Sequence, residues 1–366
     1  MENVAAIALN MRRFRAEKNY TQAKLAEESG VSLPSVKALE TCKATNPSAK
    51  TLVALARALS CSVGDLLCEP PTPKRVRFRA NASLKPLRRL NIISSCATWL
   101  TDYCDLENAL NEPTFFKAPV ASFKKNESIQ HFAEIVRSEL NVPNDAPVVD
   151  VASVFGKLDL KLRYCARPTK ADIFGLAINE SPQQTGIIVF NNAEISTERV
   201  IFTTVHEFAH LLLHKSSFDE KLKSENQKEE RQADEFASYF LMPKNLFLEK
   251  WNENVGNNLV ERVLRVKRFF RVSYKVVLRR LNDEQIADGN IYVNFAKLYR
   301  QTTGKNLRDH REPNPLSRFD APQSRFERLV IRAVSEGVVS ISRGAEMLRV
   351  PTLDFYDSLK SSGGVF

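Results

Sequence analysis

Apolar residues at the front of the chain recur at helical spacing between short segments that break helices. Thr21 and Ser32 are residues suited to cap a helix, and Gly30 supplies a stop between them. Further apolar stripes cover residues 51–59 and 63–67. Together with an initial stripe, the pattern predicts five short helices, of which the second and third are joined by a tight glycine turn. This is a helix-turn-helix arrangement in an all-α domain.

A proline-rich segment, residues 69–73, ends this helical pattern. Residues 74–79 then alternate like a short strand with basic residues on both sides, and residues 86–110 return to helical spacing. We therefore interpret residues 69–128 as a linker strand and a connecting helix between two modules.

Farther along the chain, helical and strand-like patterns are mixed. The predicted order is two helices and then three strands, over residues 129–140, 147–158, 159–165, 172–179 and 186–190. Ser196 or Thr197 then caps an apolar helix, so the sheet leads directly into it. The sequence predicts an α+β domain over residues 129–285, completed by two helices in residues 244–283.

A last, small helical domain is predicted over residues 286–366, beginning with a strand-like or irregular stretch that contains Asn314 and Pro315. Its helical patterns cover residues 326–334, 342–348 and 351–359. They form a second trio of the helix-turn-helix kind. Because such trios are common, a packing or substrate-docking module is favoured over a second DNA reader.

Charge is concentrated at the front of the chain. The first 90 residues hold sixteen Lys and Arg against seven Asp and Glu, which is nearly all of the net charge of +10. A basic front module suggests a polyanionic partner, and the alternative is a solvated surface without one. No stretch approaches the roughly 18 apolar residues of a membrane helix, and no secretory signal is visible. Six cysteines without a Cys-x-x-Cys pair favour reduced thiols, so we expect a cytoplasmic protein.

The most specific chemical pattern is His206-Glu207-Phe208-Ala209-His210, in the apolar helix that follows the sheet. Residues four apart share a helix face, so both imidazoles can reach a single ion while Glu207 is offset toward a water molecule. The alternative, a pair of surface or core histidines, is disfavoured by the apolar residues that flank the motif. His214 repeats the spacing but lies two turns from His206, so one ion cannot bind all three rings.

A catalytic zinc site needs a third protein ligand from a separate element. The next helix offers Glu229, Glu230, Asp234 and Glu235. Glu230 and Asp234 stand four apart, so the first can ligate zinc and the second can accept the free N–H of a ligating histidine. The alternative is that these acids belong to a solvated acidic run, residues 220–230.

The first domain resembles the XRE family of lambda-repressor-like DNA-binding domains over roughly residues 4–68. The matching residues are 20–32, Val36, Leu39, Glu40 and the helix over 51–59. The DNA contacts that the resemblance implies are Gln22, Ser32, Ser35 and Lys37, with the third helix in a major groove. Leu33, Pro34 and Ala38 stand where the family commonly has polar or basic residues. A domain that pairs with another repressor domain, or is kept only as a scaffold, is therefore the alternative.

The α+β domain closely resembles the ImmA/IrrE family of zinc metallopeptidases. The matching segments are 187–191, 199–214, 230–237 and 240–243. The resemblance implies a zincin (gluzincin-like) fold, Zn2+ as cofactor, and His206, His210 and Glu230 as its ligands. It implies Glu207 as the catalytic carboxylate, and Asp234 stands where the family more often has Asn.

The resemblance also implies a function, the cutting of an XRE-type repressor protein that relieves repression after stress or mobile-element signals. The alternatives are a DNA-binding transcriptional regulator, or a phage or toxin–antitoxin component, whose peptidase-like domain is regulatory. Candidates for the oxyanion donor are Tyr239, Tyr164 and His131, which the sequence does not rank. No membrane partner is expected, and a homodimer is left open.

Overall fold

The computed structural model describes residues 2–44, 46–80, 86–124, 127–166, 173–191, 195–218, 226–307, 312–317 and 324–361. The helices are α1 (Glu2–Glu17), α2 (Gln22–Ser29), α3 (Leu33–Glu40), α4 (Ala49–Leu59), α5 (Val63–Leu67), α6 (Pro86–Ala109), α7 (Ile129–Glu139), α8 (Val151–Gly156), α9 (Thr197–Leu213), α10 (Gln227–Leu241), α11 (Lys244–Asn252), α12 (Leu259–Phe270), α13 (Tyr274–Asp283), α14 (Ile291–Thr303), α15 (Arg325–Ser335), α16 (Ile341–Leu348) and α17 (Thr352–Ser361). The strands are β1 (Val76–Ala80), β2 (Lys161–Ala166), β3 (Ile173–Asn179) and β4 (Thr185–Asn191).

The five-helix pattern at the front of the chain is confirmed, and the caps explain its boundaries. Thr21 and Ser32 each accept a hydrogen bond from the backbone N–H three residues on, which starts α2 and α3. Gly30 ends α2 at φ +66°, a left-handed conformation that glycine adopts without strain. Ser48 caps α4 by accepting from Thr51 N–H, so the helix begins at Ala49, two residues before the predicted start. The helices bury Leu25, Val36, Leu39 and Leu55 in a common core.

One compact unit combines Met1–Lys74, Ala82–Pro113 and Arg325–Phe366. Within it, α6 contacts α1 through Asn91, which donates to the Arg13 carbonyl at 3.0 Å. On α6, Trp99 also packs edge-on against Phe326 of α15, with ring centroids 6.1 Å apart. Helix α6 and the last predicted helices therefore belong to the same compact unit as the front helices. Local periodicity shows that α6 has an apolar face but not which element covers it.

The second compact unit combines Arg75–Asn81 with Thr114–Ser324. Its sheet has the strand order β1-β3-β4-β2, in which only the β2–β4 pair is parallel. The strand predicted near residues 74–79 is present as β1, and it forms an edge of this sheet beside β3. The sheet packs against α9, and α9 packs against α10. In the core, Phe208 of α9 stacks on Phe155 of α8, with ring centroids 4.1 Å apart.

The prediction of two helices in residues 244–283 is wrong, because three helices, α11, α12 and α13, cover this range. Asn258 caps α12 through a bond from Glu261 N–H, which separates it from α11. The interpretation of the following stretch as strand-like or irregular missed α14. Its signal was the spacing of Ile291, Phe295 and Tyr299, which are buried on one face.

None of the helices in the described part of the chain has the length and hydropathy that a membrane span requires.

Candidate metal centre

Helix α9 carries the His-Glu-x-x-His motif and lies between the sheet and α10 in the second unit. Ser196 starts the helix by accepting from Arg199 N–H, as the sequence predicted. The helix is buried along most of its length, and His206 and Glu207 have no exposed surface. Buried polar side chains in a packed interior require partners, so the groups around them show how the site is arranged.

Two imidazoles and one carboxylate converge on a single point. The Nε2 atoms of His206 and His210 are 3.0 Å apart. Glu230 reaches them from α10, with Oε2 at 3.1 Å from His206 Nε2 and Oε1 at 3.2 Å from His210 Nε2. These three side chains are a group that could hold a metal ion, and their ligand atoms lie within 4.8 Å of one another. Neighbouring ligands of a tetrahedral zinc at about 2.0–2.1 Å stand about 3.3 Å apart, so the donor set fits zinc.

The outer ring nitrogens of both histidines have partners of their own. His206 Nδ1 lies 2.8 Å from Asp234 Oδ1, and His210 Nδ1 lies 2.8 Å from His214 Nδ1. His214 Nε2 in turn lies 3.2 Å from Gln232 Oε1. Because an amide oxygen only accepts, His214 donates to Gln232 and accepts from His210. Each Nδ1 of the pair then carries its proton outward, and each Nε2 lone pair faces the centre.

The charge states of these groups suit metal binding. Burial lowers the pKa of His210 well below its usual value, so its ring is neutral at pH 7. Burial acts to raise the pKa of Glu230, but its interactions with the rings of His206 and His210 outweigh that effect and hold the pKa well below its usual value. A neutral imidazole and an ionised carboxylate are the forms that coordinate zinc.

Glu207 fits beside the sheet because residue 175 of β3 has no side chain. A Cβ atom added to Gly175 would lie 2.6 Å from Glu207 Oε1 and 2.8 Å from its Cγ. Such approaches are shorter than van der Waals contact permits, and Gly175 is buried in the middle of the sheet, paired with Val189. Gly175 is not among the candidate site residues that the sequence pattern predicts. A glycine inside a strand signals close approach of another group, but only the fold identifies that group.

We expect Gly175→Ala to lower the peptidase activity that the family resemblance implies by about 100-fold, because a displacement of about 1 Å of a reacting group has effects of that size. Zinc binding should be retained, since the displaced group is not among the three ligands. Gly156→Ala is the matched control, because a Cβ there meets nothing within 4 Å. Kinetic assays of both variants at equal zinc content check the expectation, and full activity of Gly175→Ala would contradict it.

The other acidic candidates on α10 face elsewhere. Glu229 pairs with Arg77 of β1 and accepts from the Ser217 hydroxyl at 2.7 Å, and Glu235 is exposed. Asp234 also accepts from Arg279 at 3.2 Å through its second oxygen. Glu230 and Asp234 therefore do not behave as members of a solvated acidic run, because both contact the histidines.

The three candidate oxyanion donors have different surroundings. Tyr164 is bonded to Thr204 of α9 at 3.4 Å, and burial raises the pKa of its hydroxyl to about 12. Tyr239 donates to Glu284 at 3.3 Å, and His131 has a side chain that is 65% exposed, with Glu127 4.0 Å away. Tyr164 thus contacts the helix of the motif at Thr204, which is three residues before Glu207.

Of the residues expected to contact DNA, Gln22 begins α2, Ser32 caps α3, and Ser35 and Lys37 lie within α3. Ser32, Ser35 and Lys37 are exposed, and the two serine hydroxyls are 2.8 Å apart. Gln22 donates to Glu40 at 2.7 Å, and Arg15 pairs with the same carboxylate at 2.6 Å. Gln22 is therefore held in place by a side-chain network, while the other three side chains face solvent.

Comparison with known families agrees with this geometry. Residues 166–282 match the model of the IrrE N-terminal-like domain, a peptidase family, and this range contains both histidines, Glu207 and Glu230. Residues 10–69 match the model of the Cro/C1-type HTH DNA-binding domain. No curated protein sequence matches the chain. The chain therefore joins a Cro/C1-type helix-turn-helix domain to an IrrE N-terminal-like domain of a peptidase family.

Proposed function

We propose that this chain is a zinc-dependent endopeptidase whose ligands are His206, His210 and Glu230. The observation that supports the proposal is the convergence of two imidazole Nε2 atoms and one carboxylate, all within 4.8 Å. Glu207, one residue from the first ligand, is the remaining acid of the motif and lies beside the sheet at Gly175.

The protein groups have distinct tasks in this reaction. Asp234 and His214 hold the two ligating rings by their Nδ1 atoms. Glu207 takes a proton from the attacking water and returns it to the leaving amine. Zinc, when bound, supplies Lewis acidity, which lowers the pKa of that water and polarises the peptide carbonyl. A regulator that only senses metal has no physical need of a buried Glu207, which favours catalysis over the purely regulatory alternative.

For the substrate we propose an XRE-type repressor protein, whose cleavage relieves repression under stress or mobile-element signals in the cytoplasm. The support is the pairing in one chain of a peptidase-family domain with a Cro/C1-type domain, the class to which such repressors belong.

The test compares the chelator-stripped full chain with the zinc-restored chain on a repressor of this class encoded nearby, with products mapped by mass spectrometry. We expect internal cleavage only after zinc is restored, and none by His210→Ala. Lys228→Ala is the control, because that lysine is exposed on α10 and lies outside the ligand group. A wild-type chain that binds no zinc would overturn the enzyme proposal. A zinc-loaded chain that cleaves other unfolded proteins but spares repressors would overturn the substrate proposal alone.

A second function, DNA binding by residues 1–68, is favoured by the family match and by the exposed Ser32, Ser35 and Lys37. If Lys37 contacts a phosphate, Lys37→Ala should lower the slope of log K against log salt by about 1 and weaken binding to all sequences alike. Lys360→Ala, an exposed lysine of α17, should leave the slope unchanged. Titration of a labelled duplex with the full chain at several salt concentrations measures both, and equal slopes for wild type and Lys37→Ala would contradict the contact.

A further inference from the structure

Arg77 links the edge strand β1 to the candidate metal centre. It stands opposite Ala177 in the antiparallel pairing of β1 with β3. Its Nη2 donates to Glu230 Oε1 at 2.8 Å, and its Nη1 donates to Glu229 Oε2. Arg77 is only 10% exposed, and each glutamate side chain is 17% exposed. A buried, charge-assisted pair of this kind is stronger and better ordered than an ion pair on the surface.

An arginine is the residue type that this position requires. Two adjacent carboxylates at the start of α10 repel each other, and a planar guanidinium with several N–H groups can bond one carboxylate with each Nη. An arginine side chain stays protonated in proteins, so the guanidinium keeps its charge and both bonds.

The contact acts on a proposed metal ligand. Glu230 Oε1 accepts from Arg77 while it lies 3.2 Å from His210 Nε2, and Oε2 lies 3.1 Å from His206 Nε2. The carboxylate is thus held between the guanidinium on one side and the two imidazoles on the other. Rotation of the Glu230 side chain away from the histidines would break the bond with Arg77, so Arg77 favours the orientation in which both oxygens face the rings.

We propose that Arg77 is a positioning residue for the metal ligand Glu230. Strand β1 therefore contributes to the metal centre through this side chain. The proposal rests on the proposed zinc site. β1 lies outside residues 166–282, so the family-matching segment does not contain everything that sets its metal affinity. The chain on either side of β1 belongs to the other compact unit, so pairing of β1 with β3 makes metal affinity depend on a strand that the front half of the chain supplies.

The test measures zinc affinity of the full chain by competition with a chromophoric chelator. Arg77→Met should weaken zinc binding by about 10–100-fold, the usual effect of removing a partner of a ligating side chain. Arg77→Lys should fall between wild type and Arg77→Met, because an ammonium keeps the charge but does not present the planar fork. Arg75→Met is the matched control, since Arg75 donates to the Lys215 carbonyl and not to a proposed ligand. Its affinity should equal that of the wild type.

A second readout separates positioning from a loss of folding. The cobalt-substituted protein reports the ligand geometry through its visible absorption, which we expect to change in Arg77→Lys while the thermal unfolding of the metal-free protein stays the same. Should Arg77→Met fail to fold, Arg77→Lys carries the test alone. The inference would be overturned if the Arg77 variants bound zinc as tightly as the wild type. It would also be overturned if Arg77→Met, which lacks the positive charge, bound zinc more tightly. Absence of zinc binding by the wild type would overturn the zinc proposal itself, and the inference with it.

Discussion

Glu207→Gln is expected to lower kcat/KM for peptide cleavage by about 10²–10⁴-fold, the contribution typical of a positioned general acid–base group. Glutamine has the same shape as glutamate, so it should fit the space that Gly175 leaves beside it. The amide, however, cannot take a proton from water at neutral pH. Zinc content should match that of the wild type, because Glu207 is outside the group formed by His206, His210 and Glu230. Single-turnover cleavage at equal protein and zinc concentrations is the measurement.

Glu235→Gln is the control for this prediction, since it makes the same chemical change at an exposed acid of α10. It should cleave at the wild-type rate. If Glu207→Gln cleaved at the wild-type rate, another group would have to transfer the proton. Glu207 would then no longer support the proposal that the chain is an enzyme. Loss of zinc from Glu207→Gln would contradict the separation of its task from that of the ligands.

The parts of the site that could be predicted from the sequence are those set within single helices. His206 and His210 are brought together because they are four apart on α9, and Glu230 and Asp234 share a face of α10 for the same reason. The caps of α2, α3 and α9 were readable because a cap is a local hydrogen bond. The packing of α9 against α10 is a tertiary contact that local patterns do not predict. The resemblance to a known family implied it.

The contacts that the sequence did not reveal join elements distant along the chain. Gly175 of the sheet leaves the space that Glu207 occupies, and Arg77 reaches Glu230 from a strand more than 150 residues away. A strand pattern defines which side chains share a face, but the partner strand and the register depend on the whole fold. For the same reason β1 was interpreted as part of a linker, although it completes the sheet as the partner of β3.

A cluster of buried charges ties α12 to the start of α9. Lys267 and Glu198 have no exposed surface, and Lys267 Nζ lies 2.9 Å from Glu198 Oε1 and 3.0 Å from Glu312 Oε1. The same ammonium donates to the carbonyls of Pro313 and Asn314, at 2.8 and 3.0 Å. With four oxygens around one ammonium, the short segment over residues 312–317 is held against the helix that carries the motif.

Lys267→Met should lower the free energy of unfolding by about 3–5 kcal/mol, because it leaves the buried carboxylates of Glu198 and Glu312 without their cation. Methionine has a similar length, so the loss of packing is small and the charge decides the result. Arg268→Met, at the adjacent exposed position of α12, should change stability by less than about 0.5 kcal/mol. Adding Glu198→Gln to Lys267→Met should restore part of the stability, since one of the two stranded carboxylates is then neutral. Urea unfolding of the four proteins gives these values, and a Lys267→Met variant as stable as Arg268→Met would mean that the buried cluster does not stabilise the fold.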